Sequence, residues 1–248
     1  MKTIIEKTKE DMGRIAADDA AKRICAAIAE RGEARVILAT GASQFTFIEA
    51  LTTHTEIDWT KVHAFHLDEY VGISDTHIAS FRRYFKDRLL AKLPVSMKEF
   101  TFVCGDAPDT AAECARLEAA IREKPIDLAC VGIGENAHLA FNDPPADFDT
   151  DAAFAVVKLD EACRMQQVGE GWFEGLDSVP THAYSMTIPQ IMAASAILVI
   201  VPDERKANAV AAAVDGPLTN MCPSSILRRH PDCTLYLDEP AAAKLKRD

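Results

Sequence analysis

The chain has 248 residues, 48% of them hydrophobic, enough to bury one sizeable core, and a single domain over 1–248 is expected. A formal net charge of -11 spread along the chain opposes the basic footprint of a nucleic-acid-binding protein and leaves a small molecule as the expected partner. The seven cysteines include no CxxC pair, residues 1–7 lack the apolar core of a signal peptide, and no stretch reaches the ~18 apolar residues of a membrane span. A reducing, cytoplasmic setting without a membrane or nucleic-acid partner is therefore expected.

In chain order, Met12, Ile15, Ala16, Ala20, Ile24 and Ile28 recur at helical spacing between residues 11 and 30, and Gly32 supplies a stop. Strand-like runs follow at 36–39 and 62–67, separated by a helical segment near 47–51, and a β, α, β order implies a parallel crossover. The alternation continues with a helix near 78–90, a strand near 100–103, a helix over 110–122 and a strand ending at Val131. Further strands are expected at 155–159, 183–186, 197–201 and 234–237, with a helix over 204–214. The Asp/Pro/Ala-rich stretch 143–151 reads as a surface loop, because periodic patterns resume on both sides of it. The expected class is α/β, a three-layer α/β/α architecture around a mostly parallel, Rossmann-like sheet.

Ligands of open α/β sheets bind beyond the carboxyl ends of the strands, so chemistry is expected in the segments that leave the strand-like runs. The first is Thr40-Gly41-Ala42-Ser43-Gln44, whose backbone N–H groups and two hydroxyls suit an anion, and which also reads as a tight turn with a serine cap. The second is Leu67-Asp68-Glu69-Tyr70-Val71-Gly72. Adjacent acids on an extended chain face opposite ways. An Asp68 turned into a cleft and partly buried would gain proton affinity and suit the abstraction of a weakly acidic proton; alternatively, Asp68 or Glu69 caps the following turn.

The third segment, Gly132-Ile133-Gly134-Glu135-Asn136-Ala137-His138, follows the apolar run 126–131. Its glycines permit a tight turn, His138 exchanges protons near neutral pH, and Asp143 stands five residues on to orient the imidazole; a structural histidine is the alternative. The fourth, Asp203-Glu204-Arg205-Lys206, opens a helix with cations at the positive end of its dipole, a placement that either a bound phosphate or Asp203 and Glu204 would offset. Polar loops gathered on one edge of a sheet point to a site.

Taken together, these segments resemble the glucosamine-6-phosphate deaminase/isomerase family, whose relatives include the 6-phosphogluconolactonases, along most of the chain. Leu38-Ala39-Thr40-Gly41-Ala42-Ser43 resembles the family's phosphate loop, L-P-T-G-G-T or S, and Leu67-Asp68-Glu69-Tyr70-Val71-Gly72 is similar to its D-E-Y-V-G segment. Residues 132–144 are similar to G-x-G-x-D-G-H-I-A-F-N-E-P, Ala140-Phe141-Asn142 favours the deaminase branch, and Arg205-Lys206-Ala207 falls where a phosphate-binding lysine is expected.

The resemblance implies that Thr40, Gly41, Ala42, Ser43 and Lys206 hold a sugar phosphate, with Glu69 and Gly134 also at the substrate. It makes Asp68 the general base that moves a proton between C2 and C1 of an opened amino sugar, while His138, with Asp143 and Asn136 beside it, assists ring opening. It implies hydrolytic loss of ammonia, no metal, no organic cofactor, a homo-oligomer, and glucosamine 6-phosphate as substrate, with galactosamine 6-phosphate second. A 6-phosphogluconolactonase and a non-catalytic sugar-phosphate sensor are the competing readings.

Three departures from the family pattern stand out. Asn136 replaces an aspartate and Asp143 a glutamate, so fewer and shorter acids surround His138. Gly171 stands where some members carry an arginine before paired aromatics, which makes Arg164 or Arg83 candidate substitutes, and Gln166 and Gln167 candidates to hydrogen-bond sugar hydroxyls.

Overall fold

The computed structural model describes residues 1–169 and 171–246. The chain begins with β1 (Lys2–Glu6), α1 (Lys9–Arg31), β2 (Ala34–Leu38), α2 (Phe45–Leu51), β3 (Val62–His66), β4 (Asp68–Tyr70), α3 (Phe81–Arg88), β5 (Glu99–Thr101) and α4 (Thr110–Arg122). It continues with β6 (Leu128–Val131), β7 (Phe154–Lys158), α5 (Glu161–Gly169), β8 (His182–Met186), α6 (Ile188–Met192), β9 (Ala196–Val201), α7 (Ala207–Asp215) and β10 (Cys233–Asp238).

Local chemistry accounts for the main helix boundaries. Thr8 caps α1 by accepting from the Asp11 N–H, and Gly32, at φ 80°, ends it in a left-handed turn whose N–H donates to the Ile28 carbonyl. Helix α3 starts at Phe81, later than the periodicity predicts, because Ser80 takes the capping position, and Ile78 is left exposed before it. The expected helix over 204–214 splits into a 3-10 turn, Glu204–Lys206, followed by α7.

Seven strands form one sheet in the order β1-β10-β9-β6-β2-β3-β5, with every neighbouring pair parallel. Alternate residues of a strand leave by opposite faces, and β2 shows it: Ile37 joins the core with α4, α6 and α7, while Val36 and Leu38 join the core with α1 and α2. Both faces are therefore covered, which is why all five residues of β2 and of β3 are buried. The expected three-layer class is the one observed.

Strands β4, β8 and β7 form a second, antiparallel sheet instead of extending the first. The alternating exposure along β7, from buried Phe154 to exposed Lys158, fits a strand with one wet face. The sheets join at Leu67, the one residue between β3 and β4, whose carbonyl accepts from the Met186 N–H at 2.7 Å. Two strands were not expected from the sequence: β1 is a polar edge strand without an apolar run, and β4 has only three residues. Among the described residues no helix is long and apolar enough to cross a membrane.

Strand β2 lies between β3 and β6, so the chain leaves it in one direction toward β5 and returns on its other side. Such a reversal is where α/β sheets place their ligands, which puts the expected site at the carboxyl ends of β2 and β6.

Candidate active site

The carboxyl ends of the four adjacent strands β9, β6, β2 and β3 carry the four segments singled out in the sequence. Their side chains meet at identifiable contacts. Gln44 reaches from the β2 loop to the Ile200 carbonyl of β9 at 3.1 Å, and Arg205 lies 3.9 Å from Glu135 of the β6 loop.

The β3 exit carries the two acids, and β4 turns them apart. Glu69 is wholly buried, its Oε1 accepting from the N–H groups of Tyr70 and Phe81 and its Oε2 from Ser80 Oγ and the Arg82 N–H. Arg82 adds an ion pair at 3.7 Å. Expected at the substrate, Glu69 instead anchors the start of α3, because strand alternation points it away from the rim.

Asp68 faces the other way. It pairs directly across the small sheet with Ser185, and directly opposed residues share a face. Ser185 Oγ accepts from the Phe141 N–H at 3.0 Å and from Asn142 Nδ2 at 3.2 Å, so that shared face looks onto the segment that carries His138. Asp68 is 8% exposed, and its carboxyl has no hydrogen-bond partner among the described residues. Burial, with the neighbouring Glu69 charge adding to it, pushes its pKa up to about 8.

The β6 exit holds His138 in a fixed pose. Its Nδ1 lies 3.0 Å from Asp143 Oδ1, and the same oxygen accepts from Asn136 Nδ2 at 2.8 Å, while Asn136 Oδ1 accepts from the His138 N–H. Because an ionised carboxylate only accepts, this bond puts a proton on Nδ1 and turns Nε2 to the site. Burial alone would raise the Asp143 pKa, but the hydrogen bonds from His138 and Asn136 outweigh it and hold Asp143 below the ordinary carboxylate range. The ring lies flat on Gly134, where a Cβ would come within 2.1 Å of Nε2. Ala137 and Ala140 adopt φ of 69° and 51°, strain concentrated on the turn that carries the imidazole.

The β2 exit keeps Thr40, Gly41 and Ser43 partly open and Ala42 exposed at the rim, with Gly41 at φ 97° forming the turn. Lys206 is half-buried after β9. Arg205 is held by Asp203 at 3.2 Å as well as lying near Glu135.

The proposed stand-ins for the missing arginine are engaged elsewhere. Arg164 donates to the Leu176 and Val179 carbonyls, and Arg83 donates to the Thr76 carbonyl and pairs with Asp87. Gln167 Oε1 accepts from the Tyr70 hydroxyl at 3.0 Å, and the Gln166 side chain lies outside the described residues. The site residues not singled out in the sequence are Ser185 and Gln44, the latter noted only as the last letter of a turn. Both act across strands distant in sequence, and no local pattern marks such contacts.

Fold and rim together define a parallel α/β protein of the class that binds ligands at a topological switch point. A family model described as glucosamine-6-phosphate isomerases/6-phosphogluconolactonase matches residues 7–236, and the chain belongs to that family. It is 39% identical over 208 residues to a glucosamine-6-phosphate deaminase of Listeria welshimeri, covering 84% of this chain and 86% of that one. It is 36% identical over 244 residues to one from an Exiguobacterium species, covering 98% and 92%. A solved structure of a monomeric glucosamine-6-phosphate deaminase superposes with a TM-score of 0.88 at 30% identity, covering 98% of this chain and all of that one. A 6-phosphogluconolactonase from Shewanella baltica, with a TM-score of 0.77 at 15% identity, shares the fold alone.

Proposed function

We propose that this chain is a cytoplasmic deaminating isomerase that converts a hexosamine 6-phosphate, glucosamine 6-phosphate first, into a ketohexose 6-phosphate and ammonia. The observation that carries the reading is the Asp68 carboxyl, buried and without a hydrogen-bond partner among the described residues, on the face that Ser185 shares with the His138 segment. A base for carbon acids needs this setting, since a desolvated carboxylate without hydrogen bonds has raised proton affinity.

In this reading Thr40, Ser43, the N–H groups of residues 41–43 and Lys206 hold the phosphate at one end of the site. His138 Nε2 moves the proton that opens the pyranose ring, and Asp143 and Asn136 hold the imidazole in place. Asp68 then takes the proton from C2 of the open chain to give an enolamine and returns it at C1. Water attacks the resulting C2 imine, the C–N bond breaks, and ammonia leaves with the ketose phosphate. The curated relatives being glucosamine-6-phosphate deaminases supports this substrate over the lactone, and the six described cysteines, all free, support a reducing compartment.

The purified protein is tested against glucosamine 6-phosphate, galactosamine 6-phosphate and 6-phosphogluconolactone, with assays for ammonia, ketose phosphate and acid. Ammonia and ketose phosphate in equal amounts from a hexosamine phosphate are expected. Acid from the lactone without ammonia would replace this reading with a lactonase, and binding without turnover would replace it with a sensor. The expected homo-oligomer is a separable part of the proposal, and a single-chain mass by light scattering removes it.

A further inference from the structure

We propose that Gln44 is a positioning residue for the phosphate loop: its amide nitrogen donates to Ser43 Oγ and so holds that hydroxyl in place with its own proton left to donate toward a bound phosphate. The inference rests on the reading of residues 40–43 as the phosphate site. Gln44 is fully buried, yet it carries an uncharged polar head where the chain leaves β2. Its Nε2 lies 3.1 Å from the Ile200 carbonyl of β9 and 3.1 Å from Ser43 Oγ, and it packs against Gly132, the first residue after β6, where a Cβ would stand 3.1 Å from the same nitrogen. One amide therefore ties together the ends of three strands.

The orientation of that amide follows from its partners. A carbonyl oxygen only accepts, so Ile200 fixes the NH2 end on its side, and the second hydrogen of the same group points at Ser43. Reversing the amide would set Oε1 against the Ile200 oxygen, two acceptors face to face. Ser43 Oγ receives this hydrogen bond, and its own proton has no acceptor among the described residues. A serine hydroxyl has one proton to give and two lone pairs to accept with, whereas a phosphate oxygen needs donors. Accepting from Gln44 fixes the oxygen and strengthens the donation of its proton, because hydrogen bonds in series polarise one another.

The arrangement leaves Gln44 Oε1 buried with no partner. Packing alone does not call for this, since a methionine or leucine would fill the same space without orphaning an acceptor. The amide nitrogen, directed at the hydroxyl of the half-buried Ser43, is the feature such a replacement would lose.

The test is a double-mutant cycle on the full chain with Gln44→Met and Ser43→Ala, reading KM and kcat for the turned-over sugar phosphate and the inhibition constant of inorganic phosphate. Gln44→Met is expected to raise KM and the phosphate inhibition constant about tenfold, with kcat within about twofold of the parent. In the Ser43→Ala background, the same change should cost less than about twofold. Gln44→Leu, of similar bulk, is measured in the same way should the methionine variant fold poorly.

A Ser43→Ala protein that binds phosphate as tightly as the parent would overturn the phosphate-loop reading and this inference with it. A weakened Ser43→Ala protein combined with a silent Gln44→Met, or with a Gln44→Met cost equal in both backgrounds, would overturn the inference alone.

Discussion

Asp68 and Asp143 are both partly or largely buried acids at one rim, and they titrate in opposite directions. Burial, with the Glu69 charge beside it, raises the Asp68 pKa to about 8, with no donor among the described residues to offset it, while hydrogen bonds from His138 and Asn136 lower that of Asp143. The signs for stability follow. Ionising Asp68 disfavours the fold, so stability should fall as pH rises between roughly 4 and 8, by up to about 1.4 kcal/mol per pH unit. Asp143 stabilises the fold above its unfolded pKa, and that contribution is lost as pH falls through its lower folded value.

Asp68→Asn should therefore flatten the decline in urea-measured stability toward alkaline pH while lowering kcat by on the order of 10³-fold. In the parent enzyme kcat/KM should climb with pH and level off above about 8, where the base is ionised; a profile flat from pH 6 to 9 would contradict that role. Gly134→Ala tests the imidazole pose. The new methyl would displace the ring but meets no backbone among its nearest contacts, so the fold should persist while kcat drops about 10²-fold. At this scale the titratable residues could be read from local motifs, since each acid or histidine leaves an apolar run. Which of Asp68 and Glu69 faces the rim could not, because strand alternation says that they differ but not which way the sheet is turned.

The three-residue strand β4 and helix α3 act as a unit. Glu69 takes four hydrogen bonds, three of them from residues 80–82 at the start of α3, and so sets the small sheet against the large one. Glu69→Ala would strand those donors and leave Arg82 to Asp106 alone among its acidic partners, and it should cost about 3–5 kcal/mol in chemical denaturation. A loss under 1 kcal/mol would mean that Glu69 is dispensable to the fold. The second sheet itself was hidden in the sequence. Runs at 155–159 and 183–186 read as strands, but their partner β4 is too short to show periodicity, and antiparallel pairing is a property of the folded chain. Edge strand β1 was hidden for a related reason: with one neighbour and charged ends it needs no apolar run.

For the whole molecule, a ligand held at the β2/β6 reversal would stabilise the folded state. A sugar phosphate held at 100 times its dissociation constant adds about 2.7 kcal/mol, which for a chain of this size corresponds to a melting temperature higher by about 5–10 °C. Differential scanning calorimetry with and without substrate or inorganic phosphate checks this, and an unchanged transition would argue against a preformed site.

From its sequence alone this protein determined its layer architecture, the succession of its principal strands along the chain and the four rim segments, because apolar runs, helix caps and glycine turns are written within a few residues of where they act. Only the tertiary structure decided that β4, β7 and β8 stand apart from the main sheet, that Ser185 aligns Asp68 with the His138 segment, and that Gln44 joins three strand ends. Those contacts link residues from about 40 to more than 150 positions apart, and hydrogen bonds formed across such separations leave no local periodicity in the chain.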